Sequence, residues 1–376
     1  MTKFRDWLTE RGLAAMLWWK SRPGQVSGAL SRQTFQRAAP PSRDRVTVGL
    51  AQMQMELVAS ADEYALHAYE LARSAVERGA QLVAFPEYTG APLLGLLPGV
   101  RELASGRTMQ DAINDLTGGA EVSVGDVFRA VAPAASKIHL DTFSMLARKF
   151  GIHLMAGSII LPDEDGKLYS YAHLFAPDAW RAAKSRGHLV GTQRKLHLFV
   201  SEEGWLIPGD ELRVFDLPFG RVAMPICMDY TFWETARLAY LSGAEILIDP
   251  SADGSGDREW LAARGIQMRV QESLCYGSHV FIVTDLFGLH WRGRSSVYAP
   301  VGLLPPGQRA LAQAQSDDQA EVVVCELDMA ALRAFRAEHA PDFFNVPLYE
   351  KYLPRIYADY GASEQNGRRI IRRPVN

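Results

Sequence analysis

The sequence predicts one large α/β domain carrying a basic leader and a tail. Three observations carry this expectation. Apolar runs rich in Val, Ile and Leu alternate with longer segments of helical character. The first two runs, VTVGLAQMQ (46–54) and QLVAFPE (81–87), flank a single helix-like segment, a strand–helix–strand unit that implies a parallel pair and a right-handed crossover. Hydrophobic residues make up 48% of the chain and charged residues 22%, which suits a sizeable core and excludes a disordered protein.

The elements follow in order. Residues 3–20 read as a helix, with Phe4, Trp7, Leu8, Ala15 and Trp18 roughly on one side and Lys3, Arg5, Arg11 and Lys20 bearing charge; Arg22-Pro23-Gly24 stops it. Residues 21–44 are rich in Ser, Pro, Gln and Arg and read as a linker. The strand 46–54 alternates. A helix is expected over 60–78, ended by Gly79, before the short buried strand 81–87 stops at Pro86. Residues 91–140, with PLLGLLPGV (92–100) and Gly118-Gly119, break the rhythm and read as an insertion of short helices. The rhythm resumes with a helix at 141–150, strands at 152–161, 169–176 and around 213–228, a helix at 230–242, a strand at 245–250, a helix at 257–277 and strands at 279–284 and 321–328. The domain boundaries expected are 1–44 for the leader, 45–340 for the body and 341–376 for a tail that wraps over a neighbour.

Charge and cysteine content narrow the function classes. The net charge of −3 gives no reason to expect nucleic-acid binding. Residues 1–43 nevertheless sum to +6, leaving −9 on the rest, so the leader is either an interaction segment or a basic tail lying on an acidic body. The three widely spaced cysteines, Cys227, Cys275 and Cys325, make no disulfide framework, and no CxxC or His-rich cluster suggests a metal. No cofactor is expected, and a reducing cytoplasm fits best. No apolar stretch reaches 18 residues, so no bilayer-spanning helix is expected. The leader's tryptophans beside Lys and Arg do suit peripheral membrane contact through residues 1–22.

Three segments share one design, an apolar strand ending in a reactive side chain. Glu87 follows a buried strand and a proline, at the edge where α/β sites form; a solvated loop glutamate is the plainer account. Lys195 stands in an apolar context in QRKLHLFVSEEGW (193–205), where it suits an oxyanion, although most lysines are solvated charges. Cys227 ends the apolar strand in RVAMPICMDYTFWE (221–234). A thiol at a strand-to-helix turn gains from the helix N-terminus, which is expected to lower its pKa, and the Met228 N–H is then aimed at an oxyanion. A lone cysteine is more often a small buried hydrophobe, an account that fits Cys275 and Cys325. His197 reads as a packing histidine.

The ordered motifs Phe85-Pro86-Glu87, Arg194-Lys195-Leu196-His197, Glu203-Gly204-Trp205 with Pro208-Gly209, and Pro218-Phe219-Gly220-Arg221-Val222 before Ile226-Cys227-Met228-Asp229 resemble the nitrilase superfamily of carbon–nitrogen hydrolases. The resemblance covers about residues 46–330. It implies an αββα four-layer sandwich, two sheets with helices outside, and pairing of subunits through the helix after the cysteine. It implies a Glu87–Lys195–Cys227 triad, Glu203 as the second glutamate, and substrate contacts from Tyr88, Met228 and Tyr230. The activity implied is hydrolysis of a small-molecule amide through a Cys227 thioester. True nitrilases usually carry Trp-Glu after the nucleophile, so Met228-Asp229 favours an amidase over nitrile hydrolysis. A non-enzymatic scaffold is the remaining alternative. Four features depart from the family pattern: Trp233 stands where it has proline, Ser273 stands where it has asparagine, the stretch from Glu87 to Lys195 is long, and the leader is unusual.

Overall fold

The computed structural model describes residues 12–22, 24–117, 121–177, 189–254, 264–339 and 345–365. The expected strand 46–54 is β1 (Arg45–Gln54), and the helix after it is Ala61–Glu77. Ser60 caps that helix by accepting the Glu63 N–H, which satisfies one of the orphan donors at its start. β2 (Leu82–Ala84) lies parallel to β1, as the crossover requires. The chain continues through β3 (His153–Pro162), β4 (Leu168–Phe175), β5 (Leu189–Arg194), β6 (Val214–Leu217), β7 (Gly220–Ala223), β8 (Ile246–Ala252), β9 (Tyr276–Val283), β10 (Ser296–Tyr298), β11 (Ala312–Gln313) and β12 (Glu321–Asp328).

β1 joins two sheets. Along its length it pairs with β2 and, antiparallel, with β12; at its far end Met53 and Gln54 pair with β9. One sheet runs β5-β4-β3-β2-β1-β12 and the other β6-β7-β8-β9, with β10 and β11 at its margin. Val48, Leu50, Leu82 and Leu174 from the first sheet meet Val222, Ile246, Ile248 and Val280 from the second in one apolar layer. On the outer face of the first sheet, Val83, Phe85 and Leu154 pack under the helices Ala61–Glu77 and Val124–Phe150. On the outer face of the second, Ala223 and Leu247 pack under Trp233–Leu241 and Ile266–Ser273. Helix, sheet, sheet and helix are the four layers that the motifs imply. Strands β1, β3 and β8 are buried on both faces, which explains their continuous apolar character.

Several boundaries differ from the sequence reading. Residues 124–140, assigned to the insertion, are the first half of a 27-residue framework helix, Val124–Phe150, capped by the reciprocal Ser123–Asp126 box. The added segment is therefore 91–123, a 3-10 helix Ala91–Leu96 followed by Val100–Leu103 and Met109–Thr117. Its Leu93, Leu94, Leu96 and Leu97 are buried against the body. The Lys20 ammonium caps the Leu96 carbonyl at 2.9 Å, so the leader helix over 12–20 and this segment hold each other. The expected helix start at residue 3, the start of helix 257–277 and the Gly118-Gly119 turn fall outside the described residues. The chain divides into compact units at Arg333 and Ala334. The second unit contains a 20-residue helix, Val346–Gln365, in the tail to which the sequence reading assigned no element.

Candidate active site

Glu87 is placed by a turn that the neighbouring strand clamps. The β2 ladder extends one bond further, Phe85 N–H to the Met155 carbonyl at 2.9 Å, and then Pro86 has no donor with which to continue. The Pro86 carbonyl accepts the Ser158 N–H, and the Ser158 hydroxyl accepts the Tyr88 N–H at 3.0 Å. Tyr88 adopts a left-handed conformation, φ 56°. The clamp needs glycine at 157, where β3 bulges, because a Cβ there would lie 2.0 Å from the Pro86 oxygen. The Glu87 side chain is thereby turned into the protein, 1% exposed.

There it meets Lys195, which is 2% exposed. The Lys195 backbone is pinned from both sides, its N–H to Ser170 and its carbonyl to Gly209. Its Nζ lies 2.7 Å from Glu87 Oε1 and 2.8 and 2.7 Å from the two carboxylate oxygens of Glu202. Glu202 also accepts the Phe199 N–H at 2.7 Å and the Tyr88 hydroxyl. The second glutamate is thus Glu202, and the assignment to Glu203 is corrected: Glu203 is exposed. Sequence alone could not separate two adjacent glutamates in a loop without periodicity. The Phe199–Glu202 turn decides which one faces inward.

Cys227 sits at a strained turn with φ 49°, half-buried, on the first residue of a five-residue 3-10 helix, Cys227–Thr231. The Cys227 thiol is near enough to Glu87 to bear on its carboxyl, and its Sγ lies 3.7 Å from the Ala252 carbonyl. Its own N–H is taken by Asp249 Oδ1 at 3.0 Å, and Met228 is the second residue of the 3-10 turn. Asp229, fully buried, accepts N–H groups from Ile226, Leu196 and His197, at 2.7, 3.0 and 2.6 Å. One carboxylate therefore ties the cysteine turn to the lysine loop. Tyr88 stacks on Trp291 at 5.3 Å. Tyr230, expected at the substrate, is instead a core residue, fully buried with its hydroxyl on the Ile248 carbonyl. Cys275 and Cys325 lie elsewhere, on the approach to β9 and in β12.

Asp229, Asp249 and Trp291 escaped the sequence reading as site residues. Asp249 carried a signal, since it is an acid set within a buried apolar strand, next to a proline as Glu87 is.

The electrostatics follow from burial. Burial raises the Glu87 carboxyl, Lys195 pulls it back, Glu202 raises it again, and the result is about 7. Burial would lower Lys195, but Glu87, Cys227 and Glu202 more than offset this, so the ammonium persists. Burial pushes the Cys227 thiol well above its ordinary value and the Glu87 charge adds to this, while Lys195 opposes them. This corrects the expected lowering by a helix N-terminus: one short 3-10 turn does not outweigh burial beside a carboxylate. The resting thiol keeps its proton and needs a base, and Glu87 is beside it. Among the described residues no cluster of His, Cys, Asp or Glu could hold a metal ion. A thiol, a carboxyl near neutrality and a fixed ammonium can together carry out acyl transfer.

Comparison with known proteins agrees with this chemistry. Residues 47–337 match the family described as carbon-nitrogen hydrolase. A protein named nitrilase from Pyrococcus abyssi is 31% identical over 215 residues, covering 56% of this chain and 73% of that protein. The human omega-amidase NIT2 is 24% identical over 322 residues, covering 82% of this chain and 96% of its own. Among solved structures, Saccharomyces cerevisiae Nit3, of the nitrilase superfamily, superposes with a TM-score of 0.58 at 23% identity, covering 81% of this chain and 98% of that one. An amidase from Nesterenkonia sp. AN1, solved with butyramide, gives 0.55 at 20% identity, covering 80% of this chain and 98% of that one.

Proposed function

Because this chain belongs to the carbon–nitrogen hydrolase family, we propose that it hydrolyses a non-peptide amide to an acid and ammonia or an amine, with Cys227 as nucleophile. The observation that carries this reading is the buried cluster in which Glu87 lies 2.7 Å from the Lys195 ammonium and acts electrostatically on the Cys227 thiol beside it. Glu87 takes the thiol proton as Sγ attacks the amide carbon. Lys195 and the Met228 N–H stabilise the oxyanion that develops. As the C–N bond breaks, Glu87 returns the proton to the leaving nitrogen, leaving a thioester on Cys227. Glu87 then deprotonates a water, which attacks the thioester carbon, and the departing thiolate recovers the proton. A carboxyl near 7 suits both directions of transfer. Glu202 holds Lys195 in place.

Nitrile hydrolysis is the second reading, favoured by the relative named nitrilase. It uses the same nucleophile, and Met228-Asp229 argues for the amide. The purified protein is to be assayed against aliphatic, aromatic and carbamoyl amides and the matching nitriles, with mass spectrometry of the acyl-enzyme. Amides are expected at the higher kcat/KM. Cys227→Ala should abolish turnover, and Glu87→Gln and Lys195→Ala should each cost at least ~100-fold. Near-normal turnover in any of the three sinks the assignment, and nitriles turned over faster refute the amide.

A further inference from the structure

A second concavity lies apart from Cys227. It has a volume of about 570 Å³, and neither Glu87, Lys195, Glu202 nor Cys227 lines it. It is bounded by the start of the helix Ile266–Ser273, by β9 and β11, and by the segments carrying Arg292–Arg294 and Gln308–Ala310. Its size falls in the range of small-molecule sites.

The polar lining is of one sign. Arg292, Arg294 and Arg309 line this space together with His279, Gln267 and Gln313, and among the described residues no aspartate or glutamate does. The chain after residue 43 has a net charge of −9, so this basic lining is not a reflection of composition. Arg292 is fixed by the Thr284 carbonyl at 2.9 Å and by Asp285 at 2.6 Å. Arg294 and Arg309 have no carboxylate partner among the described residues. They come from different segments of the cavity wall. Ile266, Phe281, Leu311 and Ala312 supply apolar surface in the same cavity. Two anionic ends on a short carbon framework match this lining, the guanidinium forks taking carboxylate or phosphate oxygens in pairs.

We propose that this cavity is a binding site for a small organic polyanion, bearing carboxylate or phosphate groups, distinct from the amide site. The proposal stands on the cavity and its charges and does not depend on the amidase reading. The floor residue His279 also touches Asp249 at 3.5 Å, and Asp249 holds the Cys227 N–H, so the two sites share a wall.

The full-length protein is to be titrated calorimetrically with citrate and with fructose 1,6-bisphosphate, at ionic strength matched with potassium chloride. Saturable binding is expected for at least one, and which one binds separates a carboxylate ligand from a phosphate ligand. The exposed pair R294E/R309E should weaken binding by about tenfold or more, the scale of losing hydrogen bonds to charged groups. R294Q/R309Q should weaken it in the same direction. The control R73E/R129E, an equal charge change at exposed arginines elsewhere, should bind as the parent does. No saturable binding up to about 10 mM overturns the proposal, since that is weaker than the millimolar limit of a useful site. So does an equal loss in the control, which would mean general attraction rather than a site.

Discussion

Glu202 embraces the Lys195 ammonium with both carboxylate oxygens, at 2.8 and 2.7 Å, while Glu87 approaches the same nitrogen with one, at 2.7 Å. All three side chains are buried. The lysine is therefore a fixed charge between two acids rather than a mobile donor, and the adjacent Glu203 is exposed.

That asymmetry gives the first prediction. Glu202→Ala should lower kcat/KM by ~100-fold or more, because Lys195 loses the group that positions it. It should also destabilise the fold by about 3–5 kcal/mol, the scale for removing one partner of a buried ion pair. Glu203→Ala should change stability by no more than about 0.5 kcal/mol, as exposed substitutions do. Kinetics and urea unfolding of both variants check this; equal effects at the two positions would return the role to the site as a whole.

The Glu87 carboxyl makes activity and stability move in opposite directions with pH. As a base it must be ionised, so kcat/KM should rise with pH through an apparent pKa near about 7 that belongs to the coupled site. An acid whose native pKa lies above its ordinary 4.5 holds its proton more tightly when folded. Its contribution to stability is present below 4.5 and is lost as pH rises through about 7. Glu87→Gln should remove that slope from the stability profile. A parent enzyme whose kcat/KM is flat from about pH 5 to 8 would exclude Glu87 as the base.

The outer helices of the second sheet carry apolar side chains into solvent. Trp233 is 64% exposed, Leu238 54%, Leu241 60% and Met268 43%, a grouping that a lone soluble chain rarely leaves open. We expect a homodimer through Trp233–Leu241 and Ile266–Ser273. Light scattering should give twice the chain mass for the parent and the single-chain mass for L238E/L241E. A monomeric parent at assay concentration would exclude the pairing.

Trp18 and Trp19, 65% and 55% exposed with the Arg22 guanidinium over the Trp19 ring, form an aromatic–cationic patch on the leader helix. We expect it to bring the protein to anionic vesicles, with binding lost between about 0.05 and 0.5 M salt as charges are screened. W18A/W19A should abolish sedimentation with phosphatidylserine vesicles while leaving turnover intact. Cosedimentation unchanged in W18A/W19A would assign the patch a role other than a membrane surface.

Much of this protein was written in the sequence. Strands buried on both faces announce themselves as apolar runs, and strand ends offered Glu87, Lys195 and Cys227 as candidates. The ordered motifs that resemble the nitrilase superfamily joined the three, and the fold brings them near one another. What local pattern could not decide was direction and burial. The first part of helix Val124–Phe150 was read as insertion because the strand–helix rhythm is broken before it, and packing under the first sheet shows it to be framework. Glu202 and Glu203 are chemically identical neighbours, and a turn pinned by Phe199 and Tyr88 selects one. The thiol of Cys227 was expected to be acidic from its place at a helix start. Its actual state follows from desolvation and from a carboxylate 140 residues earlier in the chain, both of which exist only once the two sheets have closed on each other.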